Sequence, residues 1–329
     1  MNTKKPVGNI LMIGGTGRSG TTILSKIFEK HSRVAVAPEW RFMIDPDGVI
    51  DYINCSEFWS PYHADLRLKR LRKVLRNVNI DNFWLKVVSK VLKKGLEKPL
   101  HRKMSRQYQG IVAEKYSPNF DLLTEKLITK LHDFSFDGYW TGVPLLGESR
   151  MYYSHEQSRE QLITIFSEYY HSIINDVLTT RHADYYLEKN TWNILWFDKI
   201  LEILPNARLI HIYRDPRDVV ASFAQQSWMP SDPTESARIY LDLFRRWEAI
   251  KQTIPSSSYF EISLEQLTAQ PESTLQAACN FWEIPWEPAL LLTDISKSNS
   301  GRWKKQFSDR EAESVSGVLE ELLKKLKYV

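Results

Sequence analysis

The stretch NILMIGGTGRSGTTILSKIF, residues 9–28, decides the fold. Residues 10–13 are apolar at every position, which predicts a strand covered on both faces, as in a parallel sheet. Glycines at 14, 15, 17 and 20 then turn the chain, and TTILSKIF continues with apolar residues at helical spacing. Gly15 to Thr22 reads G-x-x-x-x-G-T-T, a phosphate-binding loop in which Thr21 stands where a loop for a nucleoside triphosphate carries lysine. The glycines permit a tight turn whose N–H groups, together with the helix dipole, face an anion.

Working outward, further β-rich runs at 34–37, 185–188, 209–213 and 259–262 alternate with helical patterns. Such alternation predicts an α/β fold, a parallel sheet flanked by helices. The 329 residues are 43% hydrophobic and 26% charged, ordinary for a globular chain, with no internal repeat. Two lysines precede the first apolar run, but that run meets glycines after about five residues and so reads as a strand rather than a leader. No segment approaches the ~18 to 20 apolar residues that span a bilayer. Cys55 and Cys279 are too few for a disulfide framework or a cysteine metal site. A cytoplasmic protein is expected.

Residues 51–183 do not continue the strand–helix alternation and read as an inserted, mainly helical cap within a single domain spanning 1–329. Inside it, residues 66–106 hold fourteen Lys/Arg against Asp81 and Glu97, an excess of +12 that leaves −8 for the rest of a chain of net charge +4. Apolar residues recur there at helical spacing, as Leu68, Leu71 and Leu75, then Trp84, Val87, Val88 and Val91. Two basic amphipathic helices are expected. They are either solvated lysine-rich faces or a surface for an acidic peptide, an acidic sugar or an anionic membrane met peripherally. No recognition motif for nucleic acid accompanies the charge. Arg150, Tyr152 and Tyr153, late in the cap, are candidates for lining an acceptor pocket.

In an open α/β sheet the ligand lies beyond the carboxyl ends of the strands. After the second run come Glu39 and Arg41; after the third, Glu188, Lys189 and Asn190; after the fourth, Arg214, Asp215 and Pro216, leading into a helix with Ser222. Arg18 and Lys189 would bring fixed positive charge to a transferring anionic group, and Glu39 would take a proton from an attacking hydroxyl. Arg214 with Ser222 would hold a second, more distant phosphate. Asp215 is a candidate helix cap, and His211, inside a buried strand, reads as structural.

This pattern resembles the sulfotransferases that use 3′-phosphoadenosine 5′-phosphosulfate (PAPS). There a [K/R]-S-G-T-T loop wraps the 5′-phosphosulfate, here Arg18-Ser19-Gly20-Thr21-Thr22 preceded by Thr16 and Gly17. An Arg followed eight residues later by a Ser binds the 3′-phosphate, here Arg214 and Ser222. A Gly-x-Trp-Lys loop closes over the nucleotide, similar to Ser300-Gly301-Arg302-Trp303-Lys304. The tyrosylprotein branch and its bacterial relatives are the most similar. The resemblance makes Glu39, within Glu39-Trp40-Arg41, the general base, Lys189 a stabiliser of the sulfuryl group and Arg41 a substrate contact. Leu264-Glu265-Gln266-Leu267 stands where the family often has Tyr-Glu-x-Leu, which leaves no tyrosine at that position to contact the nucleotide.

The expected reaction is metal-free, in-line transfer of a sulfuryl group from PAPS to the hydroxyl of a peptide tyrosine, a glycan or a lipid. Two other readings stay open. A P-loop kinase or nucleotidase shares the loop, but such enzymes use the loop lysine and a carboxylate-held Mg²⁺. A non-catalytic nucleotide-binding module would dock on acidic partners or membrane through the basic cap.

Overall fold

The computed structural model of the chain describes residues 8–78, 112–142, 149–295 and 300–329. Five strands, β1 (Ile10–Gly14), β2 (Val34–Ala37), β5 (Tyr185–Lys189), β6 (Ala207–Tyr213) and β7 (Tyr259–Ser263), form one sheet in the order β2-β5-β1-β6-β7. Every neighbouring pair in it is parallel. β1 lies in the middle and is buried at all five positions, the pattern its unbroken apolar run requires. The five expected strands are therefore present, β2 with the expected bounds and the other four longer by one or two residues at one end.

The described chain divides into two compact units. The first joins the chain up to Ala37 to His182–Val329 and contains the whole five-stranded sheet. One of its cores joins Leu11, Ile13, Ile210 and Ile212 to Leu24, Ile27 and Phe28 of helix α1 (Thr21–Phe28) and to Trp282. A second core gathers Val219, Val220 and Phe223 with Tyr240 and Phe244. His211 of β6 is fully buried, and its Nδ1 lies 2.8 Å from Glu261 Oε1 on the paired strand β7, as a structural residue should. Burial alone would raise the Glu261 carboxyl, but hydrogen bonds from His211, Trp247 and Lys251 hold it down to about 2.

The second unit, Pro38–Arg181, holds α2 (Val49–Asn54), α3 (Pro61–Val78), α4 (Phe120–Lys130), α5 (Arg159–Arg181) and a two-stranded antiparallel ribbon of β3 (Phe134–Asp137) and β4 (Arg150–Tyr153). The ribbon was not expected from the sequence. α3 is the first of the two expected basic helices, with Leu68, Leu71 and Leu75 buried; the second lies outside the described residues. Much of the charge on α3 is matched within the unit. Lys69 is buried against Asp65 at 2.8 Å, Arg70 lies 3.7 Å from Asp47, and Arg72 pairs with both Glu125 and the Tyr152 hydroxyl. Tyr152 itself is buried, and its N–H donates to Asp65 Oδ1 at 3.0 Å, so it belongs to the interior of this unit.

Candidate active site

The glycine-rich loop leaves β1 on a hydrogen bond from Gly15 N–H to the Thr191 carbonyl, 2.8 Å, which ties it to the chain just past β5. A Cβ on Gly15 would stand 2.3 Å from Ser19 Oγ and 2.8 Å from the Ile212 carbonyl, so only glycine fits there. Gly17, Arg18 and Gly20 adopt φ of 96°, 56° and 111°. The left-handed conformation costs Arg18 about 1–2 kcal/mol, a strain the surrounding loop holds in place. Thr16 and Ser19 are fully buried and Thr21 nearly so, whereas Thr22 is exposed. Ser19 Oγ has no hydrogen-bond partner among the described residues. α1 begins at Gly20 with no side-chain cap, leaving its first-turn N–H groups available to an anion.

A second group forms where β6 passes into α6 (Pro216–Phe223). Asp215 caps this helix by accepting from Arg217 N–H at 2.9 Å, and Pro216 occupies its first turn. Arg214 is buried, and its Nη2 lies 2.8 Å from Asp218 Oδ2, one helical turn on and itself fully buried. Arg18 Nε donates to Ser222 Oγ at 2.9 Å. The structure thus brings the loop and the second group within one hydrogen bond of each other, and the Ser222 hydroxyl keeps its proton to donate elsewhere.

The 300–304 segment is drawn to the same helix. Asp218 Oδ2 accepts from Gly301 N–H at 2.8 Å and Oδ1 from Trp303 N–H at 3.0 Å. The Arg217 guanidinium lies 4.2 Å from the centre of the Trp303 ring, and Arg302 donates to Gln225. Ser300 and Lys304 are exposed. Asp218 was not singled out in the sequence, although its place four residues after Arg214 on a helix start was a usable signal.

Lys189 ends β5 directly opposite Ile13 of β1, beside the start of the loop. Asn190 caps the short turn that follows by accepting from Trp192 N–H. Arg18, Lys189, Arg214, Ser222 and the 300–304 segment therefore belong to one unit and gather at the carboxyl ends of its strands. Glu39 and Arg41 belong to the second unit. There Glu39 is half-buried, Trp40 is fully buried and stacked on Phe120 at 5.6 Å, and Arg41 Nε donates to Asp45 Oδ1 at 3.0 Å. Within the first unit the arrangement offers two groups of cations, hydroxyls and backbone N–H groups that could each hold an anion.

A family model described as the sulfotransferase family matches residues 121–288. An uncharacterized protein of Aquifex aeolicus (strain VF5) is 28% identical over 117 residues, covering 32% of this chain and 15% of that protein. Among solved structures, the sulfotransferase domain from the curacin biosynthetic pathway aligns with 96% of this chain and 99% of its own, at 14% identity and TM-score 0.47. The sulfotransferase STF9 from Mycobacterium avium aligns with 98% and 77%, at 14% identity and TM-score 0.44.

Proposed function

The chain belongs to the sulfotransferase family and is an enzyme, and from that premise we propose that it transfers the sulfuryl group of PAPS to an acceptor hydroxyl without a metal. The observation that carries this reading is the 2.9 Å hydrogen bond from Arg18 to Ser222. It joins an anion loop without a lysine to a second cationic group, which suits a nucleotide with phosphates at two ends better than a linear triphosphate. The residues fit such a group: Ser19 Oγ is buried with no partner among the described residues, and a side chain on Gly15 would fill the turn.

PAPS supplies an activated sulfuryl group on its 5′-phosphate. Thr16, Gly17, Arg18, Ser19, Gly20, Thr21 and Thr22 would hold that end, Arg214 and Ser222 the 3′-phosphate, and Ser300, Gly301, Arg302, Trp303 and Lys304 would cover the nucleotide. Arg18, Lys189 and the first-turn N–H groups of α1 would stabilise charge that builds as the sulfuryl group moves, each donor being worth about 2–4 kcal/mol. Glu39 would remove the acceptor proton. Arg41 would contact the acceptor by exchanging its bond to Asp45. We read residues 1–329 as one catalytic domain with an inserted cap at 51–183 that selects a peptide, glycan or lipid hydroxyl. Internal pairing of Lys69, Arg70 and Arg72 favours acceptor selection over membrane docking for the described part of the basic segment.

Titration calorimetry with adenosine 3′,5′-bisphosphate in EDTA, against ATP with Mg²⁺, tests the proposal. Binding of the bisphosphate in EDTA supports it. Binding of Mg-ATP with none of the bisphosphate would favour a kinase.

A further inference from the structure

Tyr328 follows helix α7 (Glu320–Lys325) and is fixed by its own N–H donating to the Leu323 carbonyl at 2.9 Å. Its hydroxyl donates to Glu265 Oε2 at 2.7 Å, and the other oxygen of that carboxylate accepts the Asp215 N–H at 3.0 Å. The Tyr328 carbonyl accepts from Arg217 Nη2 at 3.2 Å. Arg217 in turn grips the Asp215 carboxylate through Nε at 3.0 Å and Nη2 at 2.8 Å, while its face lies over Trp303. One residue far along the chain is thus connected twice, through Glu265 and through Arg217, to the residue next to Arg214.

We infer that Tyr328 is a positioning residue, a latch that holds the Asp215 turn so that Arg214 is set to receive the 3′-phosphate of the nucleotide. This rests on the assignment of Arg214 proposed above. The turn is a non-helical link between a buried strand and a helix, and Asp215 leaves the strand region with φ −46° and ψ 116°. Its N–H is anchored on a side chain rather than on the sheet ladder, so the anchor's own stability sets the turn. A charge-assisted hydrogen bond steadies that carboxylate more than a neutral one would. Burial first, and then the negative charge of Glu265, raise the Tyr328 phenol above its ordinary value, so it keeps its proton and donates it to that carboxylate.

Tyr328→Phe keeps the ring against its apolar neighbours and removes only the donor. The test compares dissociation constants of adenosine 3′,5′-bisphosphate and adenosine 5′-monophosphate for wild type, Tyr328→Phe, Glu265→Gln and Arg214→Ala. Losing a hydrogen bond to a charged group lowers the fraction of turns set for binding, and the apparent affinity falls with that fraction. The bisphosphate should bind about tenfold more weakly to Tyr328→Phe, the monophosphate should be unchanged within about twofold, and Glu265→Gln should shift the ratio in the same direction. A merely structural role would weaken both nucleotides alike or neither, and either result overturns the latch. If wild type and Arg214→Ala both fail to prefer the bisphosphate, the 3′-phosphate assignment falls and the latch with it. A preference in wild type that Arg214→Ala abolishes but Tyr328→Phe and Glu265→Gln leave intact overturns the latch alone.

Discussion

Replacing Asp218 by Asn should loosen the segment at 300–304 and destabilise the unit that contains the sheet. Asp218 is fully buried and does three things at once: it pairs with the buried Arg214 and accepts from the N–H groups of Gly301 and Trp303. The amide keeps the shape but has one acceptor oxygen, so one N–H loses its partner and Arg214 loses its counter-charge. Removing one member of a buried ion pair costs ~3–5 kcal/mol. Because the amide retains one hydrogen bond, the low end, about 3 kcal/mol, applies. At about 2 °C per kcal/mol for a large domain, the melting temperature should fall by roughly 6 °C. Arg302, Lys304 and Lys305 make the same segment a trypsin target, so cleavage there should accelerate in Asp218→Asn while cleavage elsewhere in folded protein changes little. Unchanged melting together with unchanged cleavage at 302–305 would refute the role given to Asp218.

Other perturbations probe the remaining parts. Gly15→Ala should disrupt the loop, because its Cβ would stand 2.3 Å from Ser19 Oγ and 2.8 Å from a backbone carbonyl; a melting temperature and nucleotide affinity equal to wild type would contradict the loop's close packing. Ser222→Ala should weaken binding of adenosine 3′,5′-bisphosphate by about 10- to 150-fold, the loss of one hydrogen bond to a charged group, as read by calorimetry. For Glu261, whose carboxyl is held down to about 2 in the fold, the native state binds fewer protons than the unfolded chain as pH falls below the ordinary carboxylate range. Its stabilisation is therefore present above about pH 5 and lost as pH falls toward 2. Glu261→Gln should flatten that part of a denaturation-against-pH curve, and an unchanged slope would remove Glu261 from the account.

The strands were legible because each is an unbroken apolar run that a two-sided parallel sheet demands. The β3–β4 ribbon was not. Phe134, Phe136 and Asp137 of β3 are exposed, so the strand is defined by its pairing with distant β4 rather than by a burial pattern of its own. Counting charge along 66–106 treats Lys69 as solvated, whereas it sits buried on Asp65, four residues back on the same helix. At the candidate site, Arg214, Ser222 and the 300–304 segment could be read singly from spacing. Asp218, which joins Arg214 to that segment, looked like an ordinary acid in a helix's first turn. The tie between Tyr328 and Asp215 through Glu265 spans more than a hundred positions of sequence and leaves no local pattern.

Transfer of label from [³⁵S]PAPS, followed in fractions of protein, glycan and lipid in the presence of EDTA, tests the central claim most directly. Wild type should move label into one fraction and release adenosine 3′,5′-bisphosphate. Glu39→Ala should move none while binding the bisphosphate almost as tightly. No transfer into any fraction by a wild-type protein that binds PAPS, or undiminished transfer by Glu39→Ala, would contradict the account.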